Sequence, residues 1–127
     1  TGVLYEALDV ESLSPGARRR ARASIVVSSA LFGALRLGDR VPSYRLSIDA
    51  RLPQVGPLPA VWREPLGEVM PLAAGTGLVL DLRSSSYAGT WRPAGAVAGR
   101  TATVRRRTRR PTRARRRGTG AGRRRHG

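Results

Sequence analysis

Ser28-Ser29-Ala30-Leu31-Phe32-Gly33-Ala34-Leu35-Arg36-Leu37-Gly38-Asp39-Arg40-Val41-Pro42-Ser43-Tyr44-Arg45-Leu46-Ser47-Ile48-Asp49-Ala50-Arg51-Leu52 is the stretch on which the reading of this chain turns. It sets an apolar turn, a glycine and closely spaced Arg, Asp and Tyr residues in one segment. Neither a plain core element nor a plain surface loop needs that mixture. Ser29 is placed to cap a short helix with Leu31, Phe32 and Leu35 on its apolar face, because a serine oxygen accepts the orphan N–H groups of a first turn. Gly38 and Pro42 then break a polar loop that carries Arg36, Asp39, Arg40, Tyr44 and Arg45. Guanidinium groups suit bidentate recognition of phosphate or carboxylate, so Ser29, Arg36, Asp39, Tyr44 and Arg45 are candidate anion-binding residues. An internal Arg–Asp pair that only holds the loop fits the same residues.

Working outward, Ile25-Val26-Val27 is a β-branched run that reads as a buried strand of a mainly parallel sheet. A strand-to-helix passage is where α/β folds place ligand sites. Further upstream, Leu4, Ala7 and Leu8 have helical spacing. Ser14 and Pro15 then open a second short helix as N-cap and first residue. Arg18, Arg19, Arg20 and Arg22 on that helix form a solvated face or a phosphate-binding one.

Downstream, Tyr44 to Leu52 alternates as a strand or extended segment, and Pro53, Pro57 and Pro59 enforce a loop. Leu58, Val61, Trp62, Leu66 and Val69 form the stripe of an amphipathic helix that Pro65 should kink or restart. Trp62 reads as a core filler. Gly75-Thr76-Gly77 closes that region and lacks a phosphate-loop pattern. Leu78 to Leu82 reads as a second buried strand, and Tyr87, Ala88 and Trp91 have helical spacing up to Pro93.

The 127 residues suffice for one domain. All eight acidic residues lie between Glu6 and Asp81, whereas the residues after Val97 carry thirteen arginines and no acid, within a net charge of +16. Arginine without any lysine points first to a GC-rich coding sequence. Without cysteine, disulfides and thiolate metal sites are excluded, and His126 is the single histidine. Neither a metal cluster nor a Ser-His-Asp set can be assembled, so no cofactor and no metal are expected. No apolar run approaches the roughly 20 residues that span a bilayer, and no signal pattern opens the chain. The expectation is a cytoplasmic protein with no membrane partner and an oligomeric state left open.

The expected fold class is α/β, a mixed sheet with short helices. It forms a truncated single domain over residues 1–97, followed by a basic, disordered tail over 98–127. The tail has too few apolar residues to offset its ordering entropy. Its arginines, among them Arg105, Arg106, Arg107, Arg109, Arg110, Arg115, Arg116 and Arg117, suit non-specific, salt-sensitive binding of phosphate backbones.

The central stretch resembles the YaaA family of peroxide stress resistance proteins, whose members carry Ser-Ala/Gly-Leu-Tyr-Gly-Val-Leu-Arg-Pro-x-Asp-x-x-x-x-Tyr-Arg-Leu-x-Met-x-x-Arg-Leu at this point. Ser29, Leu31, Gly33, Leu35, Arg36, Asp39, Tyr44, Arg45, Leu46, Arg51 and Leu52 keep that register unbroken. Phe32 stands for a frequent Tyr, Leu37 for a Pro and Ile48 for a Met. A second family segment, Asn-Leu-Ala-Ser-x-Glu-Tyr, is matched at Leu82, Ser84 and Tyr87, which adds Ser84 and Tyr87 to the candidate site. Asp81 replaces its Asn, and Ser86 replaces the Glu that would have offered a carboxylate.

The resemblance covers Thr1 to Arg105 and implies a fragment. Relatives add an N-terminal portion with a helix pair similar to a DNA-binding helix-hairpin-helix. Past Arg105 they continue with a His-x-Ala-Lys-x-x-Arg-Gly segment where this chain has its tail. A frameshift and a working tail both account for that difference. The resemblance further implies cytoplasmic protection against hydrogen peroxide by limiting free intracellular iron, with DNA binding as the activity and double-stranded DNA as the partner. It favours a non-enzyme. Two other classes compete: an enzyme acting on an anionic small molecule through residues 28–52, and a non-specific nucleic-acid binder acting through the tail.

Overall fold

The computed structural model describes residues 3–104. The arginines from Arg105 to Arg117 named above lie outside the described residues. Helix α1 (Val3–Leu8) leads through a 3-10 turn at Val10–Ser12 into α2 (Pro15–Ser24). As its sequence predicts, α2 starts at Pro15, with the Ser14 side chain accepting the Ala17 amide at 3.3 Å. Arg18 folds back to pair with Glu11 at 3.1 Å and to hold the Glu11 carbonyl at 2.7 Å.

The next segment departs from expectation. Strands β1 (Val26–Ser29) and β2 (Gly33–Arg36) form an antiparallel hairpin, so Ser29 to Leu35 is a strand end, a tight turn and a second strand, not a helix. Gly33 explains the difference. Its φ of +76° has no place inside a helix, and a Cβ there would lie 2.7 Å from the Trp62 ring. Ser29 still caps, but it caps the turn, accepting the Phe32 amide at 3.0 Å. The strand read at Ile25 to Val27 is present, in an antiparallel pair and not a parallel sheet.

After an extended passage, β3 (Arg51–Leu52) and β4 (Gly56–Pro57) form a second small hairpin that delivers the chain into α3 (Leu58–Ala74). Helix α3 runs unbroken through Pro65 and Pro71. Both prolines, and Val61 and Gly67 four residues before them, are exposed, so the carbonyls that lose an N–H partner face water. Its core-facing stripe is buried Leu58 and Leu66 with half-buried Trp62 and Met70; Val61 and Val69, placed in the stripe by spacing, are 38% and 48% exposed.

Strand β5 (Val79–Asp81) follows, then the single turns α4 (Ser85–Ala88) and α5 (Gly95–Ala98), then β6 (Thr101–Thr103), which pairs in parallel with β5. The fold is therefore α/β, with three two-stranded sheets among the described residues. Residues 98–104, read as the opening of a disordered tail, belong to this ordered part. Arg100 donates to the carbonyls of Gly75 and Gly77 just past the C-terminus of α3, where the helix dipole favours a cation.

Two apolar clusters form the core. Ala30, Ile48 and Leu58 make one, and Leu66, Trp91 and Val97 the other; Trp62 packs against both. No helix among the described residues is long and apolar enough to cross a membrane.

Candidate functional site

The β1–β2 turn is where three of the predicted residues, Ser29, Tyr44 and Tyr87, come together. Trp62 pins it from α3, its indole N–H donating to the Ala30 carbonyl at 2.8 Å while its ring lies against Gly33. Ala30 is 1% exposed, so that carbonyl has little other access to a donor. Ser29, 3% exposed, shares a hydrogen bond with the Tyr44 hydroxyl at 2.5 Å. The Tyr44 ring meets Phe32 edge to face at 5.7 Å between centroids. Tyr87 packs on the cluster of Ala30, Ile48 and Leu58.

Ser84 reaches this place only indirectly. Its hydroxyl accepts the Tyr87 amide at 3.5 Å as N-cap of α4, and so orients the turn that carries Tyr87. Arg36 and Asp39 are tied up next door. The Asp39 carboxylate accepts the Arg36 backbone N–H at 2.7 Å, and the Arg36 guanidinium donates to the Ala23 carbonyl at the end of α2 at 2.8 Å. Neither the expected Arg–Asp pair nor an anion-ready Arg36 results. Arg45 is exposed and makes no hydrogen bond or ion pair among the described residues, and the same holds for Arg40.

Sequence reasoning missed two members. Asp49 accepts the Ser86 hydroxyl at 3.2 Å, so a carboxylate from the extended passage stands beside the position where the Glu is replaced. Tyr5, from α1, completes the set: the chain has three tyrosines, and Tyr44 acts electrostatically on both Tyr5 and Tyr87. Burial, then Tyr44, then Asp39 push the Tyr5 phenol above its ordinary pKa. Burial and the Tyr44 phenol raise Tyr87 as well; the Ala30 backbone opposes them and Asp49 reinforces them. Among the described residues, the one conspicuous signal for Tyr5 was the scarcity of tyrosine itself.

Chemically, this is a packed junction of hydroxyls with carboxylates at its rim. Two clefts lie elsewhere, one of about 360 Å³ over Pro15, Arg18, Arg19 and Arg22, the other of about 280 Å³ between α3 and the segment from Gly89 to Val97. No group of three or more His, Cys, Asp or Glu among the described residues could hold a metal ion.

A second polar centre stabilises the chain beyond β5. Arg83 grips the Asp81 carboxylate with two bonds, of 2.9 and 2.8 Å, and donates to the Tyr87 and Trp91 carbonyls. Its guanidinium lies 5.2 Å from the centre of the Trp91 ring. Tyr87 is thereby held from both ends of its helical turn.

Comparison with known proteins places the chain in a family. The family described as "Peroxide stress protein YaaA" matches residues 1–121, reaching into the arginine-rich stretch where the residue-by-residue resemblance ends. A UPF0246 protein of Streptomyces coelicolor is 60% identical over 105 residues, which cover 83% of this chain and 40% of that protein. UPF0246 proteins of Corynebacterium efficiens and Corynebacterium glutamicum are each 38% identical over 108 residues, covering 82% of this chain and 42% of theirs. The chain spans about two fifths of the length of these curated relatives. No solved structure matches it.

Proposed function

This chain belongs to the YaaA family of peroxide stress proteins, and from that premise we propose that it acts in cytoplasmic protection against hydrogen peroxide by limiting free intracellular iron, with binding of double-stranded DNA as its molecular activity. The observation that carries the reading is the family match over residues 1–121. The unengaged guanidinium groups of Arg40 and Arg45 support the DNA partner, since cations that neutralise phosphates gain by releasing counterions.

The test uses a bacterial strain deleted for its own family member. It is challenged with hydrogen peroxide while expressing this chain, alone or joined to the part of the Streptomyces coelicolor relative that the match leaves uncovered. Survival should rise, and unincorporated iron, measured by electron paramagnetic resonance, should fall with it. Survival restored at unchanged iron would overturn the iron-limiting role.

A second reading is favoured by one observation, the unengaged Arg45 next in sequence to Tyr44 of the half-buried Ser29–Tyr44 bond. In it the junction binds a small anion, with Arg45 as the recognising cation and Ser29, Tyr44 and Tyr87 as hydroxyl partners. Titration with phosphate-bearing small molecules distinguishes the two: this reading requires saturable binding that Arg45→Ala abolishes.

A further inference from the structure

The parallel pair β5–β6 is covered on one face only. Side chains alternate along a strand, and Leu80 pairs with Ala102, so Leu80 and Ala102 share a face, which Leu78, Leu82 and Val104 extend in the same alternation. Leu78, Leu80, Leu82 and Val104 are 73%, 60%, 69% and 58% exposed, and Ala102 is exposed with them. Arg100, opposite Leu78 in this register, ends the row on the β6 side, with its guanidinium turned to the carbonyls of Gly75 and Gly77. The other face turns toward the core: half-buried Val79 packs against the cluster of Leu66, Trp91 and Val97, and buried Asp81 is held by Arg83, while Thr103 at its end is exposed.

Parallel strands occur almost only where both faces are covered, usually by helices, and two strands alone are not a stable sheet in water. A contiguous apolar row of this kind marks a contact surface. Three occupants can be weighed. Residues 105–127 hold twelve arginines and no Val, Ile, Leu, Met or aromatic residue, so they offer nothing apolar enough to lie there. A second copy brings another +16 of charge against the first, and self-repulsion opposes that pairing. The remaining source is the rest of the family chain, which makes up the larger part of the curated relatives and has no counterpart in the stretch matched here.

We propose that the face formed by Leu78, Leu80, Leu82, Ala102 and Val104 is the seat of an amphipathic α-helix from the part of a YaaA-family chain outside the matched stretch. That helix docks whether it is joined covalently or supplied as a separate polypeptide. The proposal concerns assembly, and stands independently of the peroxide and DNA reading.

Because the chain has no cysteine, Leu80→Cys introduces a single thiol whose reaction with a maleimide reports on this face alone. Val55→Cys, in the β3–β4 turn at a position 53% exposed, is the control. Adding the uncovered part of the Streptomyces coelicolor relative as a separate polypeptide should slow labelling at position 80 by about tenfold or more and leave position 55 unchanged. Should that polypeptide not fold alone, the full-length relative decides: in a cysteine-free background, a thiol at the position aligned with Leu80 should be protected until the protein is denatured. Free reaction there in the folded full-length protein overturns the proposal. So does concentration-dependent protection of Leu80→Cys in this chain alone, which would assign the face to a second copy.

Discussion

The Ser29 hydroxyl and the Tyr44 hydroxyl lie 2.5 Å apart across fifteen residues of sequence, which ties the end of β1 to the loop that follows β2. Ser29 accepts the Phe32 amide at the same time, so its own hydrogen is directed to Tyr44 or it accepts a second bond from Tyr44. Tyr44→Phe should cost about 1 kcal/mol, the usual net worth of one hydrogen bond. Ser29→Ala should cost more, since the Phe32 amide also loses its acceptor. Urea denaturation of both single variants and the double variant measures the coupling; strict additivity would show that the two hydroxyls do not support one another.

Gly33 and Trp62 make a sharper case. Gly33→Ala meets both a left-handed backbone and an indole 2.7 Å from the new carbon, so a loss of about 1–3 kcal/mol is expected. Trp62→Phe keeps an aromatic ring but strands the buried Ala30 carbonyl, at about 1–3 kcal/mol. Fluorescence of Trp91 follows unfolding in both. If Trp62→Phe is as stable as the parent, the hydrogen bond to Ala30 contributes nothing and Trp62 is a filler alone.

These two residues also show how far the chain could be read before its structure. The start of α2 was legible because Ser14 and Pro15 act on their immediate neighbours, and α3 because its stripe repeats over about three turns. The β1–β2 hairpin was not. Leu31, Phe32 and Leu35 have helical spacing, while what forbids the helix is a positive φ at Gly33 sealed by a tryptophan far along the chain. Of the seven residues named together, Ser29 and Tyr44 share a hydrogen bond and Tyr87 packs on the same cluster, while Arg36, Asp39, Arg45 and Ser84 do not join them. Tyr5 and Asp49 arrive from remote segments, and Arg36 is diverted to an α2 carbonyl, none of which local spacing contains.

Arg83 should be more sensitive than its position near a loop suggests. Its guanidinium and the Asp81 carboxylate are both largely buried, at 14% and 7% side-chain exposure. Breaking such a pair from one side costs about 3–5 kcal/mol. Arg83→Lys should recover little of this, because an ammonium cannot hold the carboxylate in two bonds while also reaching the Trp91 carbonyl. Thermal melts of Arg83→Lys and Arg83→Met decide the point; a Lys variant as stable as the parent would reduce the interaction to simple charge.

Alkaline pH should loosen the junction before it affects α2. Tyr5 and Tyr87 bind their protons more tightly in the folded chain than in the unfolded one, since burial and neighbouring groups raise both phenols. The folded state therefore holds more protons in that range. Their contribution is fully present below about pH 10, the ordinary tyrosine value, and is lost as pH rises through the folded values. Ultraviolet absorbance of tyrosinate against pH, with Tyr5→Phe and Tyr87→Phe for assignment, should show late-ionising components that each variant removes. Denaturation midpoints should fall over the same range, and less so in the variants.

The arginine-rich stretch provides the last test, because it separates charge from family function. Twelve of the arginines follow Val104, so a chain ending there keeps the described residues and loses most of the excess positive charge. Duplex DNA should bind the full chain without regard to sequence. Log affinity should fall against log salt with a slope of about −0.9 for each phosphate neutralised. The chain cut after Val104 should show a much smaller slope, and whatever remains should depend on the arginines the fold leaves exposed, among them Arg19, Arg20, Arg22, Arg40 and Arg45. Arg45→Ala in the cut chain measures that residue's share. In the peroxide-sensitive strain the cut and full chains should then behave alike, whether alone or joined to the remainder of the relative. Rescue by the full chain that the cut removes would make the arginines a working part of peroxide protection and would rule out a frameshift as their origin.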